Sequence, residues 1–408
     1  MIRSTNVLFP VVFSQWLVSL ADGLLLPFVN LYMVRDLGFH PALAGTVLGL
    51  AGVGLIIGQL PGGALADRYG TRPVIVAGLL VGGTADFAAS LTHNPILFAL
   101  SYGTSLLSAG IMSPAFYQAV TRMQRAENLR SVSFLIAAQN GGIAGGALLA
   151  LPLVSAHLHD IFYAAAVVDA IGACVATVFI RGDSAHRSPA PFKLRDWLYL
   201  PPRGPRTFWP IALAGFLTGV IYSQMWSTVP TVWANSGGRV TAFALLWVFN
   251  GGAIFFLEPR ISRSLERRRN PLSWVAGASL IYAASVGVFA LGVGLGTIIL
   301  GFVVLTSAEL LYEPFPPTFY ADAAPRGLTA RYQGAGNLAN AAGIMIGPVV
   351  GDSLLQWTHA TTVWVAMVFL GGLAAFSVLH AQRPATSRSR PMGFDVVPSA
   401  IEMREFDD

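Results

Sequence analysis

What most constrains this chain is a recurring feature: apolar stretches of about twenty residues, each long enough to carry a helix across a hydrocarbon core about 30 Å thick. Twelve can be read, at 8–33, 41–66, 73–92, 95–121, 131–155, 160–181, 208–234, 241–259, 273–293, 296–320, 332–356 and 361–381. Of the 408 residues, 54% are hydrophobic and only 11% charged, and mean hydropathy is +0.62. No soluble fold of this size has that balance. The chain therefore reads as an all-α membrane protein with twelve transmembrane helices. Its apolar start is not expected to be a cleavable signal peptide, because the first stretch runs well past the length of an h-region with no small-residue cleavage site before the second.

Basic residues orient the spans independently. With both termini in the cytoplasm, 23 of the 25 Lys and Arg residues fall in inner segments, and only Arg35 and Arg239 fall outside. Such an asymmetry is what cytoplasmic loops show, and an odd number of spans would destroy it. The net charge of +5 then belongs to loops facing anionic headgroups, and membrane lipids, not nucleic acid, are the expected partners. Cys174 is the one cysteine, so there is no disulfide framework. The seven His are scattered, with His157 and His159 in an outer loop. No metal-ligand spacing and no phosphate-cradling glycine loop is present, so metals, cofactors and ATP are not expected.

Residues 182–206, "GDSAHRSPAPFKLRDWLYLPPRGPR", are polar and Pro-rich and hold the only lysine, Lys193. They read as a cytoplasmic linker between a six-helix bundle at 1–181 and another at 207–383, with 384–408 as a disordered cytoplasmic tail. An offset of 201 aligns the halves: Arg130 with Arg331, Gly142 with Gly343 and Gly146 with Gly347, while Ala147 and Ala150 fall opposite Pro348 and Gly351. Spans 5 and 11 thus each present a small-xxx-small face, along which helix backbones approach closely. Two similar halves related along the membrane normal are the architecture of one large transporter class.

The loop after span 2, "GGALADRYGTRPV" at 62–74, carries Gly63, Asp67, Arg68, Gly70 and Arg72. It resembles the signature loop of the major facilitator superfamily, G-x-L-A-D-R-x-G-R-R/K, with Thr71 where Arg is usual. A weaker counterpart, "LEPRISRSLERRRNPL", lies at 257–272. Span 10 with its exit resembles the same region of bacterial twelve-span drug:proton antiporters. The resemblance runs from span 1 to span 12. It implies two pseudo-symmetric bundles, alternating access, and a gating loop whose Asp caps the N-terminus of span 11 while its Arg residues bridge to neighbouring cytoplasmic ends. The turn itself is expected to be exposed and solvated, so that the latch breaks in each cycle. Two departures stand out: span 4 lacks the Arg usual in those exporters, and their span 5 Gly-Pro is here Gly146-Ala147.

Acids within the spans carry the cost. Asp22 lies in span 1, Asp86 in span 3, Asp169 in span 6, Glu309 and Glu313 in span 10 and Asp352 toward the outer end of span 11. An ionised carboxylate at bilayer depth costs at least about 2.5 kcal/mol and usually lines a cavity or proton path. No span body holds a base to neutralise it. Glu309, Glu313 and Asp22 are therefore the candidate proton-coupling groups, with Glu309 favoured because its E-x-x-x-x-P spacing to Pro314 resembles the family pattern. Pro314, Pro316 and Pro317 are expected to break span 10. Phe28, Tyr102, Phe116, Gln118, Asn140, Tyr222, Gln224, Trp226, Asn250, Asn337 and Asn340 are the candidate cavity residues.

These features point to a secondary transporter in a bacterial-type plasma membrane, a proton-coupled exporter of small amphipathic or drug-like molecules driven by the proton gradient and expected to be monomeric. A proton-coupled or facilitative metabolite or sugar transporter is the alternative, with anions disfavoured for want of a cavity Arg or Lys. A membrane enzyme or a non-transporting sensor is opposed by the lack of a nucleophile and base that could be placed together.

Overall fold

The computed structural model describes residues 2–123, 128–180, 201, 208–237, 240–265 and 271–381. The tail at 384–408, most of the linker, Glu266 to Arg269, Arg125 and Arg239 lie outside the described residues. Every regular element among the described residues is helical. The first half contains α1 (Ile2–Leu25), α2 (Val29–Arg35), α3 (Pro41–Tyr69), α4 (Thr71–Leu91), α5 (Pro95–Met123), α6 (Asn128–Ala156) and α7 (Asp160–Phe179). The second contains α8 (Phe208–Ser223), α9 (Thr228–Asn235), α10 (Val240–Leu265), α11 (Pro271–Gly287) continued by a 3-10 turn (Val288–Leu291), α12 (Leu295–Tyr312), α13 (Phe315–Ala323), α14 (Thr329–Trp357) and α15 (Ala360–Ala381).

Eleven spans among the described residues are long and apolar enough to cross a membrane. Three are broken helices: α1 gives way to α2 at Leu26–Phe28, α8 to α9 at Gln224–Ser227, and α12 to α13 at Glu313–Pro314. The eighth stretch of the sequence corresponds to α10, which is not among the eleven; its apolar run yields to Glu258, Arg260 and Arg263 before the helix ends. At the span 10 break the prolines cannot continue the backbone ladder. Two proline carbonyls past the break also take side-chain donors: Gln333 Nε2 reaches Pro317 O at 2.5 Å and Thr318 Oγ1 reaches Pro314 O at 2.7 Å.

The two halves repeat helix by helix. Asn128–Ala156 and Thr329–Trp357 are displaced by 201 residues at both ends, and Pro95–Met123 matches Leu295–Ala323 at 200. The small-residue faces serve the same purpose in each half. A Cβ on Gly142 or Gly146 would run into the backbone of Trp16 or Leu20 in α1, and one on Gly343 into that of Phe216 in α8. Span 5 thus lies hard against span 1, and span 11 against span 7, as small residues permit. Between the halves, α3 packs on α14 and α6 on α10.

Candidate functional site

A cavity of about 550 Å³ occupies the space between the halves. Both halves line it: Asp22, Gln59, Phe116 and Asn140 from the first, and Tyr222, Glu309, Glu313, Asn337 and Asn340 from the second. Three lining residues are carboxylic acids, and none is Lys, Arg or His. Five tyrosines, Tyr117, Tyr222, Tyr282, Tyr312 and Tyr320, share the wall with Phe116, Met112 and Met345.

The α12 acids lie on one face because four residues complete about one helical turn. Their partners differ. Asn250 Nδ2 on α10 donates to Glu309 Oε2 at 2.5 Å and to Thr306 Oγ1 at 2.9 Å, and the Tyr222 hydroxyl also faces Glu309. Tyr282 on α11 donates its hydroxyl to Glu313 Oε1 at 2.7 Å. Each acid is thus held by neutral donors, and none of these contacts is an ion pair.

Eight of the sequence candidates line the cavity: Asp22, Phe116, Asn140, Tyr222, Glu309, Glu313, Asn337 and Asn340. The other six cavity candidates are placed elsewhere. Tyr102 is 2% exposed and stacks on Phe98 with centroids 6.0 Å apart. Gln224 is buried and gives its amide to Gly347 O at 2.9 Å, tying span 7 to span 11. Gln118 is buried against Asp67. Phe28 sits at the break between α1 and α2. Trp226 is half exposed and stacks on Trp247 at 3.7 Å. Asn250 stands behind Glu309. Of the remaining span acids, Asp86 and Asp169 are buried in the first half, and Asp352 accepts from Thr228 at 2.9 Å.

Below the cavity the halves are locked together. Asp67, at the end of α3, receives the backbone N–H of Ala330 at 3.1 Å and of Arg331 at 3.0 Å, two of the free donors at the start of α14. Gln118 of α5 donates to the same carboxylate. Gly63 lets this approach happen, since a Cβ there would meet the Ala330 carbonyl, and Gly70 makes the turn into α4 at φ 91°. Arg72 donates to Thr177 O near the end of α7, and Arg68 lies 5.6 Å from the centroid of the Tyr69 ring. The solvated turn expected from sequence is corrected here: Asp67 is only 5% exposed, because α14 and Gln118 close over it. A second acid crosses the seam nearby, where Asn128 Nδ2 at the start of α6 donates to Asp322 Oδ1 in α13 at 2.9 Å. On the cavity floor Asn337 Nδ2 meets Ser113 Oγ at 3.3 Å. At the other end, the lining residues Gly49, Ile344 and Met345 are exposed.

Sequence reasoning missed Glu258, the tyrosines other than Tyr222, and the Asn128–Asp322 contact. Tyr282 had a readable signal, the one phenol in the run "SLIYAASVGV".

Comparison with known proteins places this geometry among relatives. A family model described as Major Facilitator Superfamily matches residues 11–348. The uncharacterized MFS-type transporter YttB of Bacillus subtilis is 25% identical over 336 residues, 81% of this chain and 83% of that protein. The multidrug resistance protein MdtH of Aeromonas hydrophila is 23% identical over 374 residues, 89% of this chain and 91% of that one. Among solved structures, the human organic anion transporter MFSD10 (TETRAN) superposes with a TM-score of 0.77 at 18% identity, covering 92% of this chain and 99% of that one. The E. coli fucose:proton symporter FucP gives 0.71 at 15% identity, covering 92% and 98%.

Proposed function

Because the chain belongs to the major facilitator superfamily, and is thus a multi-pass membrane transporter, we propose that it is a proton-coupled exporter of small amphipathic molecules, cationic or neutral, in a bacterial-type plasma membrane. The observation that carries this reading is the cavity wall: three carboxylates, five tyrosines and no base. A cationic or hydrogen-bonding guest finds counter-charge, acceptors and aromatic faces there, whereas an anionic guest finds no cation to pair with. The relatives named as multidrug resistance proteins support the same class of guest.

In this reading α10 is the twelfth span and both termini lie on the Asp67 side, facing the cytoplasm. The locks at Asp67 and Asp322 then close the cytoplasmic end while the opposite end is accessible, an outward-facing arrangement. Substrate leaves from it and protons enter. Glu309 and Glu313 are the groups that exchange substrate for protons, and Asp22 supplies counter-charge from the other half. Breaking the Asp67 contacts releases α14 and opens the other end, as alternating access requires.

Exchange in reconstituted vesicles tests the guest class. Labelled tetraphenylphosphonium, a lipophilic cation, is expected to exchange in a protein-dependent way that is competed by other lipophilic cations and unaffected by organic anions of similar size. Competition by anions alone would overturn the assignment. A sugar-transporter reading gains no comparable support, since the aromatic and acidic wall is richer than a polyol needs.

A further inference from the structure

Glu258 was not among the candidate acids, yet it is the most completely buried carboxylate described, with 0% exposure. It lies in α10 where the halves meet. Around that seam cluster Val132, Leu135 and Ile136 of α6, Ile254 and Ile261 of α10 and Leu310 of α12. Ser262 Oγ, one turn on, donates to Oε1 at 2.7 Å, and the Ser133 hydroxyl of α6 faces the same carboxyl. Oε2 has no hydrogen-bond partner.

Among the described residues, the groups facing Glu258 are hydroxyls and other acids; on its own helix, Arg260 gives its guanidinium to Phe256 O. From α12 come Glu309 and Glu313. From α6, the one titratable residue is Arg130, which lies 5.7 Å from the centroid of the Phe134 ring. The short α9, which also touches α10, has no titratable side chain. An ionised carboxylate with one oxygen against apolar side chains and no counter-ion is expensive to keep. A carboxylic acid O–H in the same place costs far less. Glu309 lines the cavity, Glu313 is one turn nearer the Asp67 side, and Glu258 sits in the seam that must part for that side to open.

We propose that Glu258 is a third proton-binding group, through which Glu309 and Glu313 exchange protons with the face bearing Asp67. It keeps its proton while α6 and α10 are packed together. When that seam parts, water reaches the acid, its O–H bond breaks, the proton passes to water, and the carboxylate is left with the Ser262 hydroxyl of its own helix and water as donors. The role rests on the proton-coupled reading above, but its test does not depend on transport.

Infrared difference spectra of the purified full chain in detergent read the proton directly. Wild type minus Glu258→Gln at neutral pH is expected to show a protonated-carboxyl C=O band, which Glu258→Asp retains; a difference spectrum without such a band overturns the proposal. If Glu258→Gln does not fold, Ser262→Ala removes a donor to the carboxyl and is expected to move that band, and an unmoved band also overturns it. In vesicles, Glu258→Gln should lose at least about tenfold in gradient-driven tetraphenylphosphonium uptake while exchange stays close to wild type. Equal loss of both would make Glu258 a packing residue. Wild-type uptake indifferent to the gradient would refute the parent reading, and the infrared result would still decide the state of Glu258.

Discussion

Glu309 and Glu313 are chemically alike and one turn apart, yet they hold different partners, an amide and a phenol for the first and a single phenol for the second. That difference separates their expected roles. Glu309→Gln imitates the protonated acid permanently, so tetraphenylphosphonium exchange should persist while gradient-driven accumulation falls at least about a hundredfold. Accumulation at the wild-type level would remove Glu309 from coupling. Interacting carboxylates titrate as a pair, so Glu313→Gln should displace the pH profile of transport, and the double variant should be no worse than Glu309→Gln alone; an unchanged profile would leave Glu313 as a structural partner of Tyr282. Position along the helix was legible in the sequence for all these residues, because an acid or amide inside an apolar run announces itself. Rotation about the helix axis was not. Asn337 and Asn340 face the cavity, whereas Gln224, equally polar, turns to Gly347 O and Tyr102 to Phe98. Which way a side chain faces is decided by the neighbouring helix, and that neighbour is not written in the local pattern.

Within each half long helices meet closely at glycines, and between the halves acids bond to groups at helix starts. The glycine rows of α6 and α14 were legible as an internal repeat, since a packing face needs small residues at fixed spacing. The burial of Asp67 was not, because the donors that cover it, Ala330 and Arg331, are more than 260 residues away. Replacing Gly343 by Leu drives a side chain into the Phe216 backbone and should cost at least about 1–3 kcal/mol, seen as a lower unfolding temperature in detergent; an unchanged temperature would mean α8 and α14 separate freely. Asp67→Asn keeps the side chain's size but removes the charge at a helix N-terminus, an interaction of about 0.3–2 kcal/mol. Spin-label distances between the Asp67-side ends of α3 and α14 should then shift toward the separated population, with the unfolding temperature lower by no more than about a few degrees. Distances identical to wild type would show that Asp67 does not hold the seam.

Across the described residues, two helical repeats line an acidic cavity, with the Asp67 contacts across one end and exposed lining residues Gly49, Ile344 and Met345 toward the other. The Arg distribution predicts an orientation in the membrane with the Asp67 end in the cytoplasm, which can be checked in intact cells on a Cys174→Ser background. A cysteine at His159 should react with an impermeant maleimide, and one at Tyr69 only after permeabilisation; the reverse pattern would invert the assignment. The central claim is that a proton gradient drives the cavity through its cycle. Its most direct test is uptake of tetraphenylphosphonium into vesicles carrying the purified protein, with the electrical potential clamped and a pH gradient imposed. Accumulation above the gradient-free level in wild type, absent in Glu309→Gln despite intact exchange, is the expected result. Equal uptake with and without the gradient in wild type would contradict the account.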